Sequence, residues 1–282
     1  MRNLKLALLG MFVSFGSFAQ INTPAPSPTA TLTQEVGLTT VTINYSRPSI
    51  KGRTIFGDLV KYDELWRTGA NAATKLSFSG DVNLAGNSLE AGDYVILTVP
   101  GKSEWKLNIY NHEGNGVGAY FSKDPIGSST VKASSLSETV ESFTIDINNL
   151  RNNSASIDLI WENTKVSIPL SVDADASVMA QINKYEESSK AQRANDYNSA
   201  ASYLLSEKKD LEKALDFSTK AVALRPDAFW MSRTKSLIEA ELGKYKDAIK
   251  SAEMSLAAAE KAKNGTYISF NKASIAEWKK KK

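Results

Sequence analysis

The period of the hydrophobic pattern changes once along the chain, near Asp173, and this change limits the fold more than any other feature. Before it, apolar and polar residues alternate, as in strands with one buried face. After it, apolar residues recur every three or four positions, as in helices. The length of 282 residues suits about two domains. We therefore expect a β domain over residues 34–172 and an all-α domain over residues 173–282.

The first part of the chain contains short alternating runs that predict strands with one buried face. These runs are Val41–Tyr45, Trp105–Ile109, Phe143–Ile147, Ile157–Trp161 and Val166–Leu170. The stretch "YVILTV" (94–99) is apolar on both faces and predicts a central strand, while "ENT" (162–164) predicts a turn. About eight or nine strands without helical patterns between them favour an antiparallel β-sandwich or a jelly-roll-like domain.

The second part of the chain repeats itself at an offset of 34 residues over 196–262. Small residues recur inside the predicted helices, so that Ala214 matches Ala248 and Ala223 matches Ala257. This offset is the signature of tetratricopeptide repeats, in which alanine permits close helix packing. The pattern departs from the motif at Ser255, which stands where alanine is expected, and at Glu260, which stands where proline is expected. We expect a tetratricopeptide-like tail of two repeats with flanking helices, the last over about residues 266–280.

The N-terminus has the composition of a secretory signal peptide over residues 1–19. Arg2 and Lys5 precede an apolar run of signal-peptide length, and Ala19 lies at the end of a small-residue cleavage motif. The sequence therefore predicts export to the periplasm or the extracellular space, with cleavage before Gln20. Residues 20–33 are rich in proline, threonine and serine and predict a polar linker. No later apolar run is long enough to predict a transmembrane helix.

Composition and motifs exclude several classes of function. The formal net charge of +3 is small for a nucleic-acid-binding protein, so we expect no nucleic-acid partner. The chain contains no cysteine and one histidine, His112, and no nucleophile motif surrounds that histidine. Phosphate-binding and nucleophile-elbow motifs are absent from the sequence. We predict no cofactor, no metal site and no catalytic residues.

One segment, "YSRPSIKGRTIFGDLVKYDELWRTGANAAT" (45–74), concentrates the candidate ligand-binding residues. In one interpretation, Arg47, Arg53 and Arg67 converge and hold a carboxylate, phosphate or sulfate through paired N–H groups. Trp66 and Tyr45 would form the walls of that site. In the alternative interpretation, the arginines bind loop carbonyls and the nearby Asp58, Asp63 and Glu64, and the segment is a structural lid. The candidate ligand-binding residues are Tyr45, Arg47, Lys51, Arg53, Trp66, Arg67 and Asn71.

Several motifs together resemble a bacterial family known as domain of unknown function 2911. They are "SRPSIKGRTIFG", "WRTGANAAT", "LEAGDYVILTVPG", "EWKLNIY" and "WENTKVSIPL", and they cover about residues 38–172. The resemblance implies an exported protein of the kind found in Bacteroidetes-type bacteria, sometimes with a tetratricopeptide-like tail. It implies no activity and no catalytic residues.

These observations lead to two functional hypotheses. In the first, the protein is a non-enzymatic binding or scaffolding module of the cell envelope, whose helical tail presents a surface to another envelope protein. In the second, the protein binds a small anionic ligand or a carbohydrate at the Arg47–Arg67 loop, with hydrolase activity as an extension of this hypothesis. A groove containing converging arginines would favour the second hypothesis.

Overall fold

The structure is a computed structural model that describes residues 23–187 and 193–281. Within these residues, nine β-strands are followed by six α-helices, which confirms the predicted β domain followed by a helical region. The chain divides after Ser177 into two compact units. The predicted signal peptide, residues 1–19, lies outside the described residues.

The strands of the first unit form one antiparallel sheet in the order β1-β2-β3-β6-β7-β8-β9-β4-β5. The long strand β8 joins two parts of this sheet, because residues 127–132 pair with β7 and residues 133–148 pair with β9. The strands are β1 (Thr29–Val36), β2 (Thr39–Ser46), β3 (Thr74–Phe78), β4 (Val82–Leu84), β5 (Asn87–Leu89), β6 (Gly92–Pro100), β7 (Glu104–Asn111), β8 (Gly127–Asn148) and β9 (Ser154–Val172).

Each of the nine described strands contributes to a single buried apolar cluster. The alternation read from the sequence identifies these positions: Ile43 and Leu107, for example, are fully buried, whereas Thr42 and Lys106 beside them are more exposed. Burial of one face of each strand drives the assembly of the sheet, since apolar area leaves water only when the inward faces meet.

Strand β6 is buried on both faces, as its sequence predicts. On the outer side, Val95 and Leu97 pack with Ala73, Tyr110 and Tyr120 in a second small cluster. Tyr120 closes a 3₁₀ helix, Val117–Tyr120, in the connection between β7 and β8. Residues from two loops therefore cover the outer face of the central strands.

Two predicted boundaries in the β domain are wrong. The segment 29–33, interpreted as part of a linker, is the beginning of β1 and pairs with β2 at the edge of the sheet. Its alternating threonines provide β-branched side chains that suit an edge strand. The predicted turn at 162–164 is an irregularity inside β9, where Glu162 has a φ of 54° and the register with β8 shifts. A bulge bends a strand without ending it, so the two predicted strands are one.

The second unit contains helices that pack in sequence order, and the first helix of the chain begins just before it. Within the described residues no helix is long and apolar enough to cross a membrane. The helices are α1 (Ala174–Glu186), α2 (Ala194–Ser206), α3 (Leu211–Leu224), α4 (Phe229–Glu241), α5 (Tyr245–Lys261) and α6 (Gly265–Trp278).

Small residues are among the fully buried positions of the second unit. They include Ala214 and Ala221, which the sequence places at motif positions, and also Ala201 and Ala252. Each helix from α2 to α5 packs against the next, and α4 also contacts both α2 and α6. Helices α3 and α6 begin at side-chain caps, since Asp210 accepts a hydrogen bond from the Lys213 amide and Asn264 accepts one from the Tyr267 amide.

Candidate functional site

The segment that follows β2 continues along β8 before it leaves the sheet. The Ile50 amide donates to the Glu141 carbonyl at 2.9 Å, and the Phe143 amide donates to the Pro48 carbonyl at 2.8 Å. Arg47 lies on this side of the segment, where its Nε donates to the Phe143 carbonyl and its Nη2 donates to Thr144 Oγ1. The Arg47 guanidinium therefore fastens the start of the segment to β8.

Two other predicted ligand-binding residues, Tyr45 and Lys51, also form hydrogen bonds with β8. Tyr45 is buried, and its hydroxyl exchanges hydrogen bonds with the amide and carbonyl of Ile145. Lys51 lies in a turn with a φ of 49°, and its amide donates to the Glu141 carboxylate. Lys51 is exposed at the surface.

Trp66 links the segment to both the sheet and the core. Its backbone forms a pair of hydrogen bonds with Thr98 of β6, at 2.7 and 2.9 Å. Its indole ring stacks on Trp161 of β9, with 6.0 Å between ring centroids and 18° between ring planes. Edge contacts with Phe56, Trp105 and Phe143 complete an aromatic cluster around Trp66.

The residue after Arg67 has an unusual backbone conformation. Thr68 is β-branched and fully buried, yet its φ is 56°, a region that such residues rarely adopt. Its hydroxyl bonds to the Thr98 hydroxyl at 3.0 Å, and its carbonyl accepts a hydrogen bond of 2.6 Å from Thr74. These buried contacts hold the strained residue and thereby fix the direction of Arg67.

Arg53 and Arg67 donate to carbonyls of their own loop turns. Arg53 donates through Nε to the Ile50 carbonyl at 2.9 Å and through Nη2 to the Ser49 carbonyl at 2.6 Å. Arg67 donates through Nη1 to the Asn71 carbonyl at 3.2 Å. The Asn71 side chain in turn donates to the Ser27 carbonyl at 3.0 Å.

These residues line a surface groove of about 490 Å³ in the first unit. Arg53, Trp66, Arg67 and Asn71 all contribute to its lining, so four of the seven predicted residues lie together. Tyr45, Arg47 and Lys51 do not line the groove. The predicted convergence of three arginines is therefore wrong for Arg47, whose donors are directed to β8 instead.

The groove also includes residues that the sequence did not single out as site residues. The side chains of Leu59 and Phe121, which are 48% and 43% exposed, lie on its lining together with Trp161. Trp161 was predicted only as a buried strand residue. Because Trp161 lies far from Trp66 in the sequence, the sequence does not indicate that the two side chains lie together.

The predicted pairing of the loop arginines with loop carboxylates is not found among the described residues. Glu64 pairs with Lys61 at 3.9 Å, and neither Asp58 nor Asp63 forms an ion pair with a described arginine. In the described part of the chain, the charged side chains that line the groove are the guanidiniums of Arg53 and Arg67. The arginines thus bind carbonyls, as the structural-lid interpretation predicts, but they do not pair with the loop carboxylates that it also predicts.

A second surface feature lies on the helical unit. Four aromatic rings follow one another across α4 and α6, and we refer to Trp230, Phe229, Tyr267 and Phe270 as the aromatic strip. Successive ring centroids lie 5.1, 4.8 and 6.3 Å apart. Phe270, at one end, is 53% exposed. The strip is an apolar surface formed by neighbouring helices.

Two arginines accompany the aromatic strip. The Arg225 guanidinium lies 4.9 Å from the centroid of the Trp230 ring, which is a cation–π geometry. Arg233 donates to Ser274 Oγ at 2.9 Å and to Asn271 Oδ1 at 3.4 Å. Burial lowers the pKa of Arg233, while the interaction with Tyr267 acts in the opposite direction. Neither arginine forms a salt bridge with a described carboxylate.

Comparison with known proteins adds a family but no activity. A family model described as "Protein of unknown function (DUF2911)" matches residues 27–170. The match begins before the predicted residue 38 and includes β1, while α1 to α6 lie beyond it. No curated protein and no solved structure matches the chain.

Proposed function

The chain belongs to the family described as protein of unknown function DUF2911, and because that description carries no activity, we propose from the surface geometry that it is a non-enzymatic binding protein. In this proposal the helical unit binds an extended, acidic segment of another protein. The aromatic strip is the observation that carries the proposal, since four adjoining rings on a helical surface resemble the aromatic centres of protein interfaces.

The arrangement of the helices supports this proposal. We propose that α2 to α6 form a tetratricopeptide-like array, with α2–α3 and α4–α5 as repeats and α6 as the beginning of a third. The buried alanines at matching positions and the contacts of α4 with α2 and α6 support that proposal. Repeat arrays of this kind present an extended surface formed by successive helices to a partner.

The charge around the strip specifies the partner's chemistry. Arg225 and Arg233 accompany the rings. A partner with carboxylates beside apolar side chains would complement both features. A basic partner would meet like charges at the same positions.

We also propose that the protein acts outside the cytoplasm. The composition of residues 1–19 supports export and cleavage before Gln20, which would bring the binding surface into the periplasm or the extracellular space. The partner would then be another envelope protein. Determination of the N-terminal residue of the mature protein tests this part of the proposal, and an N-terminus at Met1 would contradict it.

A site-specific crosslink in the full-length protein tests the binding surface. A photo-reactive phenylalanine derivative replaces Phe270 in one variant and Met254, a 47% exposed residue of α5 outside the strip, in a matched control. We expect the Phe270 variant to crosslink to an acidic segment in the native host. Crosslinks of equal yield from both positions, or to a basic segment, would contradict the proposal.

A peptide comparison tests the role of charge separately. A synthetic peptide that matches the crosslinked segment and its Glu-to-Lys counterpart are titrated with the full-length protein. We expect the acidic peptide to bind about tenfold more tightly, and Arg225→Gln to reduce that preference. Equal binding of both peptides would show that the arginines do not select the partner.

A further inference from the structure

We propose that the groove of the β domain is a second binding site, and that it takes a small ligand in which a carboxylate is attached to a ring. This site lies within the first unit and does not depend on the helical surface. Its volume of about 490 Å³ is in the range of small-molecule pockets. The ligand class follows from three features of the groove.

The first feature is the unused hydrogen-bonding edge of Arg67. A guanidinium presents Nε and Nη2 side by side, and this edge matches the two oxygens of a carboxylate. Arg67 uses Nη1 for the Asn71 carbonyl, and its Nε and Nη2 have no partner among the described residues. The contact with Asn71 holds the guanidinium in place and leaves its carboxylate-binding edge available.

Arg53 has the opposite arrangement. Its Nε and Nη2 are occupied by the Ile50 and Ser49 carbonyls, so that Nη1 is the nitrogen without a described partner. Arg53 can therefore contribute one donor and a positive charge, while Arg67 can bind both oxygens. With no carboxylate among the described residues of the lining, this charge favours an anionic ligand.

The second feature is the apolar wall of the groove. Trp66 lines it together with Leu59 and Phe121, two of the large hydrophobic residues that remain exposed on the described surface. Trp161, which is almost fully buried, stacks on the Trp66 ring and holds it in place. Indole rings bind flat rings and the apolar faces of sugar rings through stacking and dispersion contacts. A small inorganic anion would contact the arginines and leave this wall unused.

The third feature is the strain beside Arg67. Thr68 has a positive φ although it is β-branched, and such outliers persist only where the surrounding contacts determine them. The buried hydrogen bonds with Thr98 and Thr74 supply those contacts. The Arg67 edge is thus presented by a fixed backbone, which lowers the entropy lost when a ligand binds.

The shared chemistry, a carboxylate on a ring, occurs in acidic sugars and in aromatic acids. Titration of the full-length protein with glucuronate and benzoate, each beside its neutral counterpart glucose or benzyl alcohol, separates these sources. Amide and indole signals in nuclear magnetic resonance spectra report binding at Trp66 and Trp161. We expect at least one acid to bind with a Kd of about 1 mM or below and its neutral counterpart to bind at least about tenfold more weakly.

Substitutions of arginine locate the site. We expect Arg67→Gln to weaken binding of the acid about tenfold, and Arg67→Lys to weaken it several-fold because lysine lacks the paired donors. Arg151→Gln is the matched control, since Arg151 is an exposed arginine of the same domain that donates to the Leu150 carbonyl outside the groove. Arg53→Gln provides a second variant if loss of the Asn71 contact unfolds the loop.

Several outcomes would overturn the proposal. If neither acid binds at millimolar concentration, this ligand class is excluded. Equal binding of an acid and its neutral counterpart would remove the role of the arginines. A loss of affinity in Arg151→Gln as large as that in Arg67→Gln would show that the effect is general charge attraction.

Discussion

The indole rings of Trp66 and Trp161 lie stacked, with their planes 18° apart, although one belongs to a loop and the other to strand β9. Trp161 is almost fully buried and donates from its indole nitrogen to the Glu141 carbonyl at 3.2 Å. The stack therefore anchors the loop after β2 to a strand that is itself fixed in the core. Trp66 contributes both to the stability of the β domain and to the wall of the groove.

Replacement of Trp66 by alanine should destabilise the β domain by about 3–5 kcal/mol, because it removes a large ring from contact with four other aromatic rings. Urea unfolding followed by tryptophan fluorescence measures this change. Leu59→Ala is the control, since Leu59 lies on the same loop and is about half exposed. A similar small effect from both substitutions would show that the stack does not anchor the loop.

The sequence predicts the inward face of the sheet well because the alternation of apolar and polar residues can be read within each strand alone. Ile43, Leu107 and Leu159 point to one side of strands that were recognisable from their neighbours alone. The ends of elements were less predictable. The bulge at Glu162 forms where β9 pairs with β8, and the edge strand at 29–33 forms where β1 pairs with β2. The local sequence pattern does not identify either pairing partner.

The groove could be predicted only in part for the same reason. Arg53, Trp66, Arg67 and Asn71 belong to one segment, so their proximity in sequence predicted their proximity in space. Trp161 and Phe121 reach the groove through strand order and through a separate loop. The distinction between Arg47 and the other arginines depends on the path of the chain along β8, which sequence spacing does not determine.

Asp158 should give the β domain an acid-sensitive component of stability. Its side chain is fully buried; burial alone would raise its pKa, but hydrogen bonds from Lys165, Ser167 and Asn148 lower the pKa overall. Lys165 Nζ lies 2.7 Å from Asp158 Oδ2. Because the pKa is lower in the folded than in the unfolded state, the stabilisation is present above the unfolded value of about 3.9 and is lost as the pH falls through the folded pKa.

Replacement of Asp158 by asparagine should therefore destabilise the β domain by about 1–3 kcal/mol at neutral pH and flatten the loss of stability in acid. Urea unfolding over a series of pH values measures both effects. Asp58→Asn, at an exposed loop position, provides the control. If the free energy of unfolding of Asp158→Asn falls in acid as steeply as that of the wild type, other carboxylates determine the loss of stability in acid.

Glu239 should make the helical unit less stable as the pH rises, which is the opposite of the pH dependence expected from Asp158. This carboxylate is only 4% exposed, and burial raises its pKa although hydrogen bonds from Ser251 and Lys235 act against the shift. Its Oε2 atom has no hydrogen-bond partner among the described residues. Since the pKa is higher in the folded state, stability is greatest below the unfolded value of about 4.3 and falls as the pH rises through the folded pKa.

Glu239→Met should then raise the free energy of unfolding of the helical unit by about 1 kcal/mol at neutral pH, because it removes a buried charge and retains side-chain volume. Thermal unfolding followed by helical circular dichroism measures the change. Glu253→Met, at an exposed position of α5, should lie within about 0.5 kcal/mol of the wild type. Destabilisation by Glu239→Met would mean that the contacts with Ser251 and Lys235 outweigh the burial of the charge.

Ser255 departs from the alanine expected at its repeat position, and the structure shows a physical reason. Its hydroxyl donates to the Phe229 carbonyl at 2.7 Å and accepts a hydrogen bond of 2.8 Å from the Asn271 side chain, so that it joins α4, α5 and α6. Ser255→Ala should destabilise the helical unit by about 1–3 kcal/mol, because it leaves the buried Asn271 amide without an acceptor.

The double variant Ser255→Ala with Asn271→Leu tests this explanation, since it removes both partners. We expect it to be more stable than the sum of the two single changes predicts, because no buried amide is left unpaired. Thermal unfolding of the four proteins measures the coupling, and Ser269→Ala on the exposed surface of α6 is the control. Additive effects, or a Ser255→Ala variant as stable as the wild type, would show that the departure from alanine does not stabilise the helical unit.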